Sequence, residues 1–325
     1  MINNYLHIGL FTDCSDEVSK LDLSWQNLKI CKVSDNSFKN MIMMLSDDAT
    51  KDEDYELIEK LIEAESKQGQ SMFAFVPINR DIVVTEEIYR MMEKILLIMF
   101  PSDFSLKYLF SFRLTEGNKY CLSYHTTFDR SPLWWVAPPD SDIVQYPLRF
   151  DVESVDRINN YIKVCWDRLS KIEYLSFATI SYMNSFSQRN PQMRYVNLCI
   201  ALEALTDGMG ELTHRISRSC AVINAESRSQ GMTIFENVKL FYDIRSKIVH
   251  GEKIKMDLSK IFLPLYALVS RTLLELIALN IPTRTELNII VAQFGFGDKA
   301  QLTKDYIKPN FNTDIENLIY RSVKK

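Results

Sequence analysis

The chain has 325 residues, of which 46% are hydrophobic and 25% are charged. This composition excludes a largely disordered chain, and the length predicts two domains with a sizeable core. The formal net charge of -4 argues against a protein that binds nucleic acid over its whole surface, because affinity for nucleic acid comes mainly from neutralisation of phosphates by Lys and Arg. Any contact with RNA would depend on local basic patches.

The N-terminus, MINNYLHIGLFTD, does not have a basic start followed by a long apolar run, and no segment reaches about 18 uninterrupted apolar residues. We therefore expect a cytoplasmic protein that does not enter a membrane. The six cysteines form no C-x-x-C pair and most lie in apolar runs, as free buried thiols do. The four histidines are equally dispersed. The expectation is no metal site and no cofactor.

Residues 1–140 are predicted to form an N-terminal α+β domain of unknown role. Helices are predicted at 51–67 and near 85–99, and a proline-rich run at 132–147 is the best linker candidate. Within that run, the adjacent Trp134 and Trp135 either anchor an interdomain loop or form a platform for base stacking. Short apolar runs bounded by turn residues predict strands at LHIGLF, NLKICKV, FKNMIMML, SMFAFVPI and YLFSFRL.

The rest of the chain has helical periodicity, so the predicted fold class is α+β, with a mixed α/β domain followed by an all-α bundle. The bundle is assigned to residues 150–282 and a C-terminal helical extension to 283–325. The most apolar predicted helix, at 257–279, contains charged residues, which favours a core or dimer surface over a membrane span. The segment 152–188 is predicted as one long helix or a kinked pair. Further bundle helices are predicted at 194–206, 211–226, 231–251 and 257–279.

One helix of this bundle, at 231–251, has an apolar seam at Ile234, Val238 and Phe241. Arg245 lies on the same seam, where an ordinary core helix would have an apolar residue. His250 instead continues a polar stripe. At about 100° per residue the two side chains lie roughly 140° apart with a rise of about 7.5 Å, so one straight helix cannot aim both at one small group. Either the last turn opens, or a second copy of the helix completes the site.

The segment DIRSKIVHG, which contains the R-x4-H motif RSKIVH and follows Phe241 and Tyr242, resembles the signature helix of the HEPN superfamily, in its Apea-like branch. YVNLCIALEALTDG at 195–208 and ELTHRISRSCAVI at 211–223 resemble the two preceding helices of that branch in the right order. The resemblance covers roughly residues 150–280. It implies a helical bundle that dimerises near its R-x4-H helices and often acts as a metal-independent ribonuclease.

By position, the resemblance implies that Arg245 and His250 are the catalytic pair, and Ser246 stands where the family usually has a polar residue. Glu203 lies within the apolar face of its helix, where an unpaired carboxylate is costly. We therefore predict that Glu203 supports the site by pairing with Arg215 or with Arg245. The region also offers weaker candidates for RNA contacts: Arg218, Lys247 and Lys253.

Histidine can accept or donate a proton near neutral pH, and arginine presents a fork of donors that matches phosphate oxygens. The sequence therefore predicts an endoribonuclease with a composite site at a homodimer interface, leaving a 2',3'-cyclic phosphate and a 5'-OH. The dimer is also expected because one bundle is too small to bury the apolar residues of segments 241–249 and 261–279.

Two alternatives remain at this stage. In the first, the protein is a non-catalytic RNA-binding or dimerisation scaffold, in which Arg245 and His250 only hold the dimer together. A purely structural interpretation of the pair is an Arg salt bridge and a His that caps the helix C-terminus. In the second, the nuclease is a toxin or an anti-phage defence effector that an inhibitory partner protein keeps silent, with the N-terminal domain as sensor. The RNA substrate and the trigger are not encoded in any recognisable motif.

Overall fold

The computed structural model has a sheet-containing region followed by a helical region, which confirms the α+β class. Most of the predicted strand at 38–45 and of the predicted linker at 132–147, including Trp134 and Trp135, lies outside the described residues. The structure describes residues 5–36, 38, 40, 51–66, 71–77, 86–114, 120–128, 147–206, 211–302, 308–311 and 313–323.

The chain divides into two compact units. The sheet unit comprises Met1–Glu93, Ser102–Asp129 and Gln145–Asn159. The helical unit comprises Lys94–Pro101, Arg130–Val144 and Asn160–Lys325. The predicted domains at 1–140, 150–282 and 283–325 stay predictions, because compactness alone does not establish which segments fold independently.

The sheet unit is built on five antiparallel strands in the order β2-β3-β1-β4-β5. The predicted strands LHIGLF, NLKICKV, SMFAFVPI and YLFSFRL are confirmed as β1 to β4, whereas β5 was not predicted. The strands are β1 Tyr5–Cys14, β2 Leu28–Lys32, β3 Ser71–Pro77, β4 Ser105–Leu114 and β5 Tyr120–Thr127.

Both faces of the sheet are covered by helices, which explains why β1 and β4 are buried along almost their whole length. On one face, Leu6, Ile8 and Leu10 of β1 pack in a core with Ile58 of helix α1 (Lys51–Ser66). On the other face, Tyr89 of helix α2 (Glu86–Met99) is fully buried and its hydroxyl donates to the Phe75 carbonyl at 3.1 Å. Both predicted helices of this region are confirmed.

The helical unit contains the predicted series of helices. Of the two options for 152–188, a long helix or a kinked pair, the structure has the pair, which breaks at Ile172. The helix Pro191–Leu205 is capped at its start by Asn190, whose side chain accepts from the Gln192 and Met193 amides at 2.9 and 3.2 Å. Pro191 occupies the first helical position. The helices are α3 Val155–Lys171, α4 Glu173–Ser187, α5 Pro191–Leu205, α6 Leu212–Asn224, α7 Arg228–Val249, α8 Ser259–Leu279, α9 Arg284–Gln293 and α10 Thr313–Tyr320.

Helix α8 is long and apolar enough to cross a membrane, but 94% of its most apolar window is buried inside the structure. Its charged residues are satisfied internally. Arg271 Nη2 lies 2.7 Å from Glu275 Oε1, and the Lys299 ammonium of the C-terminal segment contacts the same carboxylate. The helix is therefore a core helix, and the C-terminal segment is part of the same core.

Candidate functional site

The R-x4-H motif lies at the C-terminal end of α7. Ser227 caps the start of this helix by accepting from the Gln230 amide, and the predicted seam residues Ile234, Val238 and Phe241 are buried. Gly251, with φ of +70°, then ends the helix as predicted. The motif is thus presented by a well-anchored helix.

Two tyrosines connect α7 to α5. Tyr195 donates its hydroxyl to the Phe241 carbonyl at 3.0 Å, and Tyr242 donates to the Cys199 carbonyl at 3.0 Å. Since the contact positions advance together along both helices, α5 and α7 run side by side in the same direction. One helical turn beyond Cys199, this arrangement brings Glu203 next to α7.

Glu203 pairs with Arg245, one of the two partners predicted for it. The Arg245 Nη2 lies 3.3 Å from the Glu203 Oε1, and the two side chains are 29% and 24% exposed. Burial raises the pKa of Glu203, and the positive charge of Arg245 opposes that shift. The carboxylate therefore positions the guanidinium at the edge of the core.

The guanidinium of Arg245 has N–H donors that Glu203 does not use. The Arg245 Nε is buried and has no hydrogen-bond partner within the described part of the chain. Arginine carries five N–H donors, and the Glu203 contact uses the Nη2 side of the fork. A buried charged donor without a partner is unusual in a folded protein. The side chain as a whole keeps 29% of its surface exposed, so its accessible part can contact a phosphate oxygen from outside the chain.

His250 is the first residue beyond α7, and its side chain is exposed. Its backbone amide donates to the Ser246 carbonyl at 3.0 Å, so the helical turn continues to His250 and does not open. Of the two ways to join Arg245 and His250 that the sequence left open, opening of the last turn does not occur in this structure. Ser246 is also exposed, on the same polar stripe as His250.

The remaining candidates have diverse environments. Arg218 donates through Nη2 to the carbonyls of Val291 and Phe294 at 2.9 and 3.1 Å, so this guanidinium fastens the end of α9 to α6. Arg215 is half-buried on α6, whereas the ion pair of Glu203 is with Arg245 on α7. The pairing of Arg215 with Glu203 was the other predicted option.

The two lysine candidates are at the surface. Lys247 forms an ion pair with Asp243 at 2.7 Å, and Lys253 is exposed in the segment after α7. Both remain accessible to a polyanion. Their role in RNA binding stays a prediction, as does that of Arg218.

Sequence reasoning missed the tyrosine hydroxyls that set the relative position of α5 and α7. The only signal was the spacing of Tyr195, Cys199 and Glu203, which recurs every four residues and places all three on one face of α5. That pattern identifies a shared face, but it does not reveal which neighbouring helix the face contacts.

The comparisons with known proteins are negative. No family model, no curated protein and no solved structure matches the chain. Among the described residues, no group of three or more His, Cys, Asp or Glu side chains is arranged to hold a metal ion. The function must be argued from the site itself.

Proposed function

We propose that the protein is a metal-independent endoribonuclease of the HEPN type, in which Arg245 binds the scissile phosphate and His250 transfers protons. The observation that carries this proposal is the half-buried guanidinium of Arg245, held by Glu203 with its Nε unpaired, on the same helix as an exposed histidine five residues later. The chemical types and their spacing are those of the R-x4-H motif.

The reaction is an attack of the RNA 2'-OH on the adjacent phosphorus. One histidine removes the 2'-OH proton as the new P–O bond forms, and a second histidine donates a proton to the 5'-oxygen as the P–O5' bond breaks. Arg245 stabilises the charge on the non-bridging oxygens through paired N–H donors. The products are a 2',3'-cyclic phosphate and a 5'-OH, and neither step consumes another reactant.

The active form is proposed to be a homodimer, because the mechanism uses two histidines and because Arg245 and His250 face different sides of α7. The apolar-surplus argument for a dimer has weakened, since Phe241, Tyr242 and almost all of α8 are buried within a single chain. Val249, which precedes His250 and is 53% exposed, is the apolar residue left at the surface there. Light scattering at micromolar concentration should give twice the chain mass; a strict monomer would contradict this assembly.

The proposed setting is the cytoplasm, as a toxin or anti-phage effector held silent by an inhibitory partner protein. This follows from the resemblance of the motif helices, and it has a simple test. Expression of the wild-type chain should arrest growth, and expression of the His250→Ala chain should not.

The decisive assay incubates the purified protein with total tRNA and mRNA in excess chelator. Wild type should cut RNA, and His250→Ala should cut about 10²- to 10⁴-fold more slowly because proton transfer is lost. Arg245→Lys should also fail, since a point charge does not replace a fork of donors. Glu236→Gln, an exposed change on the same helix, is the matched control and should cut normally.

The product ends test the mechanism separately. A 5'-phosphate product would contradict attack by the 2'-OH. If both His250→Ala and Arg245→Lys cut at the wild-type rate, the nuclease proposal fails.

The alternative function is a non-catalytic RNA-binding or dimerisation scaffold. It is favoured by the fact that Arg245 already has a counter-ion in Glu203 and that His250 ends a helix, which are ordinary structural roles. In that case wild type binds RNA without cutting it, and Arg245→Lys retains most of the binding because the charge is preserved.

A further inference from the structure

A surface pocket of about 550 Å³ lies in the helical unit, where the turn from α8 to α9 meets the start of α4. None of the proposed nuclease residues lines it. Its volume is in the range of small-ligand sites, about 300–1,000 Å³. The pocket is lined by Glu173, Tyr174, Phe177, Pro282, Thr283 and Arg284.

Hydrogen bonds within the protein fix the segments that line the pocket. The Tyr174 hydroxyl is buried and donates to the Ile281 carbonyl at 2.8 Å, which fixes the start of α4 to the turn. On the other side, Thr283 caps α9 by accepting from the Glu286 amide at 3.2 Å. The concavity is therefore part of the folded structure, and a ligand would not have to order these segments on binding.

Arg284 supplies an unpaired positive charge to this pocket. Its Nε is buried and without a hydrogen-bond partner in the ranges that the structure describes. The guanidinium is close enough to Tyr174 to act on its hydroxyl: burial raises the pKa of Tyr174, and the charge of Arg284 opposes the rise. Arg284 lines the pocket and its guanidinium is permanently charged, so an anionic ligand would pair with the guanidinium nitrogens that face the pocket.

Two other groups in the pocket complement a ligand larger than an inorganic anion. Phe177 is 54% exposed, although aromatic rings are usually buried, and its ring is available to stack on a planar group. Glu173 is exposed at the first turn of α4 and can only accept hydrogen bonds when it is ionised. It would repel a bare anion but would accept from sugar hydroxyls.

We propose that this pocket binds a ribonucleoside monophosphate. Its phosphate would pair with Arg284, its base would stack on Phe177, and a ribose hydroxyl would donate to Glu173. The proposal does not depend on the nuclease activity, because the two sites share no residue.

The test is isothermal titration calorimetry of the full chain with adenosine 5'-monophosphate, inorganic phosphate and adenosine as separate probes. The nucleotide should bind saturably, and phosphate and adenosine at least about 10-fold more weakly, since each satisfies only one side of the pocket. Arg284→Gln should weaken nucleotide binding at least about 10-fold, and Phe177→Ala about 5- to 150-fold, the range for loss of one stacking contact. Ile289→Ala, an exposed apolar change on α9 outside the pocket, should bind like wild type.

Each other outcome overturns the proposal. Equal affinity for phosphate and nucleotide would mean an anion site without base recognition. Absence of saturable binding at millimolar nucleotide, or normal binding by Phe177→Ala, whose exposed ring is not needed for folding, would remove the site. Loss of nucleotide binding in His250→Ala would show that the ligand occupies the other site, whereas the nuclease proposal itself is tested by cleavage alone.

Discussion

Replacing Arg245 by Met should destabilise the helical unit, because it leaves the Glu203 carboxylate partly buried without its opposite charge. Met retains much of the apolar stem, so the change isolates the ion pair. Glu203→Gln should cost much less. Burial raises the pKa of Glu203 despite the attraction of Arg245, which means that folding makes the charged form of Glu203 less favourable than it is in the unfolded chain. Removing Arg245 is thus predicted to lower the free energy of unfolding more than removing the charge of Glu203.

The magnitude follows from the 3.3 Å separation. At that distance the attraction between unit charges is about 5 kcal/mol for an effective dielectric constant of about 20 and about 1 kcal/mol in water. Because the side chains are 29% and 24% exposed, we expect Arg245→Met to cost about 2 kcal/mol near pH 7. Lys247→Met, which removes the more exposed pair with Asp243 on the same helix, should cost at most about 0.5 kcal/mol.

The cost should depend on pH in a defined direction. A carboxyl group whose folded pKa is raised contributes stability that is fully present below its unfolded pKa, about 4.3, and is lost as pH rises through its folded pKa. Loss of Arg245 raises the folded pKa of Glu203 further. The difference in stability between wild type and Arg245→Met should therefore be small near pH 4 and reach its full value near pH 7.

Urea unfolding followed by far-ultraviolet circular dichroism measures this difference near pH 4 and near pH 7. The double variant with Glu203→Gln should recover most of the stability lost in Arg245→Met, as expected for coupled residues. If Arg245→Met loses the same stability at both pH values, or if Glu203→Gln costs as much as Arg245→Met, the charge argument is wrong.

Three further predictions concern the helical unit and the cysteines. Gly297→Ala should lower stability by about 1–3 kcal/mol in urea unfolding, because φ is +89° and an added Cβ would lie 2.8 Å from backbone atoms. Glu275→Gln should cost about 3–5 kcal/mol or prevent folding, since it leaves Arg271 and Lys299 buried without their shared counter-ion. Iodoacetamide should label native protein first at Cys121, as mass spectrometry would show, because the other five cysteines are buried.

The sequence predicts well those helices and strands whose periodicity and end signals lie within the element itself. In α7 the seam of Ile234, Val238 and Phe241 is buried and Gly251 ends the helix, as periodicity and helix-stop signals predict. Strands β1, β3 and β4 were equally recognisable, because runs of aromatic and β-branched residues are typical of buried strands.

The parts that sequence did not predict depend on contacts between distant segments. Strand β5, YCLSYHTT, contains a single aliphatic residue, Leu122, and its only strand partner among the described residues is β4. Lys299 can be buried because its ammonium forms an ion pair with Glu275, which lies 24 residues earlier in the chain. A single-sequence pattern contains no information about such partners.

The same limit explains why the partner of Glu203 remained open between Arg215 and Arg245. The choice depends on which helix lies against the face of α5 that carries Glu203, and the hydroxyls of Tyr195 and Tyr242 place α7 there. Within one chain, Arg245 then points towards α5 while His250 remains on the exposed stripe of α7. If this motif cleaves RNA, a phosphate held by Arg245 of one chain must meet a histidine from a second chain. Because the proposed mechanism uses His250 of both chains, mixing wild type with an excess of His250→Ala chains should lower the activity of the wild-type chains, since each mixed dimer has a single His250.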